Sequence, residues 1–353
     1  MTPAKLGAAA VTIVAAAATG AMCWALGLPL PWMLGGILAT SVLAIAGVSP
    51  FGQPVGIPTW MRWYCVPVIG VSIGTAMTPQ VLEDATRWWP SLLALVAYIP
   101  IAHVAAFWAV NRLGGLDRAT SFFGTMPGGF IESVVMAEEA KADDALVSVM
   151  QLLRLIVCLA TIPLGFFILT GGAVGSASGA VIGAVPLSVA DWGILIASGA
   201  VGALAGRALR LPAWVITGPF VVSCFVHLVG WVEGGPPGWF VDMTQAVVGI
   251  SVGQRFVGKD HGLLTRAARV SVVGVAVMLA ATAGFAVALQ GLVDDGWQAV
   301  FLAFAPGGLT EMSLVALSLE IGVVYVTVHH VLRIILSVVW AKWAGRRVFG
   351  VAA

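Results

Sequence analysis

The segment from Phe122 to Arg154 occurs twice in this chain, and that duplication restricts the available folds more than any other feature. The first copy carries Pro127-Gly128-Gly129, then Glu132, then Arg154; the second carries Pro306-Gly307-Gly308, then Glu311, then Arg333. Every residue is displaced from its counterpart by 179 positions, and the same displacement carries Gly70-Val71-Ser72-Ile73-Gly74 onto Gly249-Ile250-Ser251-Val252-Gly253. The chain reads as two homologous halves in tandem, residues 1–170 and 188–353, joined by 171–187. Each half places a helix-breaking Pro-Gly-Gly, an acid and an arginine inside apolar runs, where ionisable side chains are unfavourable without a partner or a function.

Composition supplies the solvent. The 353 residues are 60% hydrophobic and 9% charged, with mean hydropathy +1.01, against about 25% charged for a soluble domain. An all-α polytopic membrane protein follows, with the lipid bilayer as its first partner. A net charge of +1 without a basic block excludes nucleic acid as a partner. The four cysteines lie far apart in apolar stretches and read as buried small hydrophobes. The five histidines build no HExxH, and neither a metal nor a cofactor is expected. Leu6–Gly20 after Lys5 resembles a signal-peptide core, but the apolar run continues through Leu26, and Ala21-Met22 before Cys23 makes a poor lipobox. This stretch is read as a first, uncleaved spanning helix.

Apolar runs of about 20 residues mark spans. They are Leu6–Leu26, Pro31–Val48, Arg62–Met77, Pro90–Val110 and Ala145–Leu169 in the first half. In the second they are Val189–Leu209, Trp214–Trp231, Phe240–Phe256, Ala267–Leu289 and Val323–Trp343. Two further segments, Ala119–Ala140 and Gln298–Glu320, place short apolar arms on either side of Pro-Gly-Gly. An arm of about ten residues is roughly 15 Å of helix and reaches half-way into a ~30 Å hydrocarbon core. If both arms enter and return, with the N-terminus cytoplasmic, then Arg112, Arg118, Arg207, Arg210, Arg255–Arg269 and Arg346-Arg347 fall inside and Asp294-Asp295 falls outside. That is the bias the positive-inside rule demands. The expectation is ten transmembrane helices plus two re-entrant hairpins, five spans per half, hence a two-fold inverted repeat with both termini cytoplasmic in a bacterial inner membrane. Matched Gly/Pro-interrupted segments in inverted halves are the mark of secondary transporters, whose sites lie at the repeat interface.

The helical arm after each Pro-Gly-Gly starts with free backbone N–H groups and the positive end of a dipole, so two such ends make an anion site. Pro127, Gly128, Gly129, Pro306, Gly307 and Gly308, with Arg154 and Arg333, are the candidate solute-binding residues. Glu132 and Glu311 are candidate ion-coupling carboxylates, and the plainer reading is that each complements its own dipole or pairs with an arginine. Gln151 lies one turn before Arg154; His330 and His329 lie three and four residues before Arg333. The histidines are candidate proton carriers, against a plain hydrogen-bonded role. The Gly-x-Ser-x-Gly strings match a hydrolase elbow only as text; no strand precedes them, and small residues at i, i+4 permit close helix packing. Ser72 and Ser251 are kept as candidate cavity-lining residues.

These residues, with Leu30-Pro31-Trp32-Met33-Leu34-Gly35-Gly36, resemble the AbrB duplication family of bacterial membrane proteins, over nearly the whole chain. The resemblance brings two functional labels, ammonia monooxygenase and regulator of AidB expression, the second implying regulation of gene expression. Oxygen activation needs a copper or iron site of several His or carboxylate ligands, and His329 and His330, adjacent on a helix, point about 100° apart. No soluble domain stands ready to bind DNA, so a regulatory effect would be indirect. The leading expectation is a secondary transporter of a small anionic solute, coupled to H⁺ or Na⁺. The alternative is a membrane sensor that binds a metabolite without turnover; an enzyme is third. Homo-oligomerisation is left open.

Overall fold

A computed structural model describes residues 2–28, 30–170 and 187–350. The Gly171–Ala184 junction lies outside the described residues. Among them the elements are helical, with no named strand. The helices of the first half are α1 (Pro3–Ala25), α2 (Pro31–Ile45), α3 (Thr59–Gly74), α4 (Pro79–Ala85), α5 (Trp89–Gly114), α6 (Arg118–Gly124), α7 (Phe130–Glu139) and α8 (Asp144–Thr170). Those of the second are α9 (Val189–Ala208), α10 (Trp214–Leu228), α11 (Gly238–Gly253), α12 (His261–Ala288), α13 (Gly296–Phe304), α14 (Leu309–Leu319) and α15 (Val323–Phe349).

Six of these, α1, α5, α8, α9, α12 and α15, are long and apolar enough to cross a bilayer. The other four expected spans form shorter helices, with 15 residues in α2 and α10 and 16 in α3 and α11. The local reason is visible at α2 and α10. Each ends in a glycine of positive φ, Gly47 at 68° and Gly230 at 72°. The next residue's N–H then reaches back five positions, Val48 to Leu43 O at 3.0 Å and Trp231 to Val226 O at 3.1 Å. This left-handed cap stops a helix whatever the hydropathy beyond it.

The repeat seen as letters is also a repeat of elements. The bounds of α3 map onto α11, and those of α8 onto α15, at the offset of 179. The bounds of α2 and α10 slip, as do those of α1 against α9 and of α5 against α12. Helices α2 and α10 both start after a non-glycine residue held at φ 47°, Leu30 and Ala213, which sets them 183 apart and accounts for the imperfect match around Trp32 and Trp214.

The chain divides into two compact units that cut across its halves. The first comprises Met1–Glu83, Ala160–Lys259 and Ser313–Val324; the second comprises Asp84–Leu159, Asp260–Met312 and Tyr325–Ala353. In the first unit, α1 packs on α2 and α9 on α10, while α2 packs on α11 and α10 on α3. The exchange is reciprocal: each half lends its second helix to the third helix of the other. Small residues make these contacts. A Cβ on Gly36 would stand 2.9 Å from Ala246 O, one on Gly253 2.9 Å from Ser41 N, and one on Gly74 2.9 Å from Cys224 N. Lipid tails are as apolar as a protein core, so helices in a bilayer associate through such close backbone approach rather than through transfer from water. The Gly-x-Ser-x-Gly strings are packing seams.

In the second unit α5 packs along α12, and α6 turns into α7 beside them. Phe122, Phe123, Met126, Met136, Ala137 and Val147 gather with Ala341 and Ala344 of α15 in one buried cluster, which clamps the first break from both sides.

Candidate functional site

Both broken segments lie in the second unit. The first helix run stops at Gly124 and resumes at Phe130; the second stops at Phe304 and resumes at Leu309. Proline contributes no N–H to a continuing helix, and Gly129 takes φ 72° at the N-cap of α7, a conformation costly for a residue with a Cβ. The N-termini of α7 and α14 therefore start at the breaks, each with an acid in its first turn, Glu132 and Glu311. Both carboxylates fold back over their own glycine. The Glu132 carboxylate is 3.1 Å from where a Cβ on Gly129 would stand, and that of Glu311 occupies the corresponding place at Gly308. This is how an acid complements the positive end of a helix.

The arginines reach the breaks from the long helices. Arg154 Nη1 donates to Met126 O, and Arg333 Nη2 donates to Gly307 O. Arg154 is 5% exposed and Arg333 1%. One turn earlier, Gln151 Nε2 donates to Phe123 O at 2.9 Å, and its counterpart His330 donates from Nε2 to Leu302 O at 2.9 Å. Donors and acceptors alike are related by the offset of 179, so the two halves build one bond with different side chains. Helix α15 also meets the first break: a Cβ on Gly128 would stand 3.1 Å from Ser337 Oγ, one turn past Arg333. Both breaks thus abut a single stretch of α15, and Arg154 and Arg333 lie within electrostatic reach of each other.

Of all Lys, Arg, Asp and Glu side chains among the described residues, only Arg154, Arg333 and Glu311 are buried. All three stand at the breaks. Glu132, the counterpart of Glu311, is exposed. No arginine–glutamate ion pair closes at either break among the described residues; a salt bridge joins Arg87 to Asp294 at 3.1 Å. The carboxylate whose field acts on Arg154 is Glu311, across the repeat. Several polar atoms here are buried without a protein partner: Arg154 Nε, Arg333 Nε and Nη1, Gln151 Oε1, His330 Nδ1 and Ser337 Oγ. Native structures leave few such atoms, and those they leave call for an explanation.

The remaining candidates are held differently. His329 faces away from His330, with Nδ1 2.8 Å from Tyr325 O and Nε2 2.9 Å from Ser91 Oγ. Ser72 and Ser251 belong to the first unit and donate to their own helices, to Val68 O at 2.8 Å and Val247 O at 2.7 Å. Among the described residues no three His, Cys, Asp or Glu side chains gather in a group able to hold a metal ion. With both ring nitrogens of His329 engaged and His330 Nε2 bound to Leu302 O, these residues do not fit the copper or iron centre of a monooxygenase.

Sequence reading missed three residues. Ser337 and Cys158 are counterparts at the offset of 179, both buried, Cys158 in the electrostatic surroundings of both arginines. Applying the offset to every polar or sulfur-bearing residue of α8 and α15 finds them. Tyr98, wholly buried on α5 with its hydroxyl 2.9 Å from Thr282 Oγ1, also neighbours both arginines; its counterpart is Val277, so the repeat carries no trace of it.

The family model described as "Transition state regulatory protein AbrB" matches residues 32–349. The "Uncharacterized protein YhjN" of Bacillus subtilis (strain 168) is 26% identical over 345 residues, spanning 92% of this chain and 89% of its own. The "Putative regulator AbrB" of Escherichia coli (strain K12) is 24% identical over 292 residues, spanning 82% of this chain and 81% of its own.

Proposed function

This chain belongs to the AbrB family, and on that premise we propose that it is a secondary transporter of a small anionic solute, bound at the two helix breaks of the second unit. One observation carries the reading: the buried ionic side chains among the described residues are confined to the duplicated breaks. Burying a charge in low dielectric is expensive without compensation. Two arginines that keep free N–H groups beside the positive ends of α7 and α14 form a field that an anion answers.

Coupling falls to Glu311 rather than to Glu132, because Glu311 is buried and acts on Arg154. Protonating Glu311 removes the negative charge that competes with the solute for that guanidinium. Anion affinity rises, and by linkage the bound anion raises proton affinity in equal measure. Na⁺ at the same carboxylate has the same sign. His329 and His330 are secondary candidates for carrying the proton.

The architecture proposed is ten crossings and two hairpins that enter and return, with the halves inverted and both termini cytoplasmic. The reciprocal packing of α2 on α11 and α10 on α3 supports a two-fold relation between halves. No chemical turnover is proposed, and any regulatory effect, a role that the name of the E. coli relative gives to that protein, would here follow indirectly from solute movement.

Flux of a labelled anion into proteoliposomes under an imposed H⁺ or Na⁺ gradient tests the proposal. Gradient-driven accumulation is expected. Saturable binding without flux would establish the competing reading, a membrane sensor.

A further inference from the structure

The polar atoms left free at the breaks are of two kinds, and their mixture selects among anions. Arg154 Nε and Arg333 Nε and Nη1 only donate, and an arginine is never deprotonated at ordinary pH. Gln151 Oε1 only accepts. His330 Nδ1 accepts as well, since the Nε2–H of the neutral ring is given to Leu302 O. Ser337 Oγ does either. The charge sum of the buried ionic groups, two arginines against Glu311, is +1.

A bare carboxylate, or an inorganic anion without an O–H, satisfies the donors and leaves both acceptors unpaired. A dianion overcompensates the charge while Glu311 is ionised. A zwitterion brings N–H donors but no net charge to balance the arginines. The species that satisfies the donors, balances the charge and pairs one of the two acceptors carries one negative charge and a hydroxyl donor close to it. Resting on the reading of the breaks as the solute site, we propose that the solute is a small hydroxycarboxylate monoanion, its carboxylate on Arg154 and Arg333 and its hydroxyl on Gln151 Oε1 or His330 Nδ1. Gln151 and His330 are then the specificity-determining pair, one from each half.

The placement follows from the fold. Gln151 and Arg154 share the carbonyl of Met126, at 3.3 Å from Gln151 Nε2. His330 and Arg333 lie three residues apart on α15, and Ser337 stands one turn further on, against Gly128. Each acceptor thus lies three residues, about one turn, before an arginine on the same helix.

Thermal-shift titration of the full-length protein in nanodiscs decides the matter, comparing lactate with propionate and 3-hydroxybutyrate with butyrate at matched ionic strength, with malonate and sulfate as dianions. Leaving a buried acceptor unsatisfied lowers affinity by about 10–100-fold, so each hydroxy acid is expected to bind that much more tightly than its deoxy analogue and more tightly than either dianion. In His330→Phe and Gln151→Met the ratio of hydroxy-acid to deoxy-acid affinity should fall toward one. If hydroxy and deoxy acids bind wild-type protein equally, or a dianion binds best, the inference is overturned and the anion site stands. If no anion binds, or all bind Arg333→Gln as they bind wild type, the site reading itself fails. The wild-type comparison holds even if a variant does not fold.

Discussion

Helices α2 and α11 meet with Gly36 and Gly249 backbone against backbone, whereas α8 and α15 meet the broken segments through Arg154 and Arg333, side chain against carbonyl. Among the described residues, the first unit buries hydroxyls and amides but no ionic side chain, and the second holds the three that are buried. Glycine seams give dense, rigid contact at low polarity, which suits a scaffold in lipid. Broken helices leave carbonyls and N–H groups without helical partners, and only protein or a lined cavity can accept them at membrane depth. Close backbone packing characterises one unit and buried ionic side chains the other.

The harshest way to break that contrast is a substitution in a seam. A Cβ on Gly249 would fall on Met33 O and within 3.1 Å of Ile37 N. Gly249→Val should lower stability by about 3 kcal/mol or more, at or beyond the upper end of ordinary overpacking, read as loss of monodisperse protein after extraction. The control is Gly284→Ala on α12, where nothing lies within 4 Å. It should leave stability equal or better by up to about 1 kcal/mol. Equal damage from both would remove the scaffold role of the seams.

Arg333→Gln should weaken solute binding by 2–5 kcal/mol, roughly 30-fold to several thousand-fold, while the glycine-packed unit keeps its protection from hydrogen exchange. Calorimetric titration of the labelled anion checks it. The acids give a finer cut. Glu311→Gln should retain binding and lose gradient-driven uptake; Glu132→Gln, at an exposed position, should change uptake less than threefold, about 0.6 kcal/mol. Should Glu311→Gln/Arg333→Gln show normal yield and normal flux, the two are a structural pair and nothing more.

The smallest effect concerns the entry to α6. Asp117 caps this helix by accepting from Thr120 N at 2.8 Å. Partial burial opposes its ionisation, but hydrogen bonds from the Thr120 hydroxyl and from Thr120, Ala119 and Asp117 N–H hold its carboxyl below the usual range. A depressed acid adds stability above its unfolded value, near pH 3.9, and loses it as pH falls through the lower folded value. Asp117→Ala should speed amide exchange across α6 at neutral pH, by about 1 kcal/mol of local stability, with the difference from wild type shrinking as the solution is acidified through the depressed folded value.

Much of the fold is legible in the letters because its determinants are local. Pro-Gly-Gly breaks a helix wherever it stands, so both interrupted segments and the helices flanking them follow from the chain alone. The offset of 179 reappears in the bounds of α3 and α11 and of α8 and α15. The lengths of α2 and α10 were less accessible, because hydropathy runs on past Gly47 and Gly230 while the backbone turns left-handed there. Gly-x-Ser-x-Gly announces a close approach but not its partner.

What the sequence determined by itself is the apolar, helical, duplicated character of the chain, the two breaks, and the acid and arginine attached to each. Those properties depend on residues near in sequence, through helix periodicity, backbone sterics and solvent preference. The tertiary structure alone decided that each compact unit draws on both halves, that Glu311 is buried while Glu132 is exposed, and that Gln151 and His330 make equivalent bonds with unequal chemistry. It also decided that Ser337 of the second half lies against Gly128 of the first. Two copies of one motif carry the same local instructions, and only the packing of distant segments gives them different surroundings. That difference assigns the buried charge and the unpartnered acceptors.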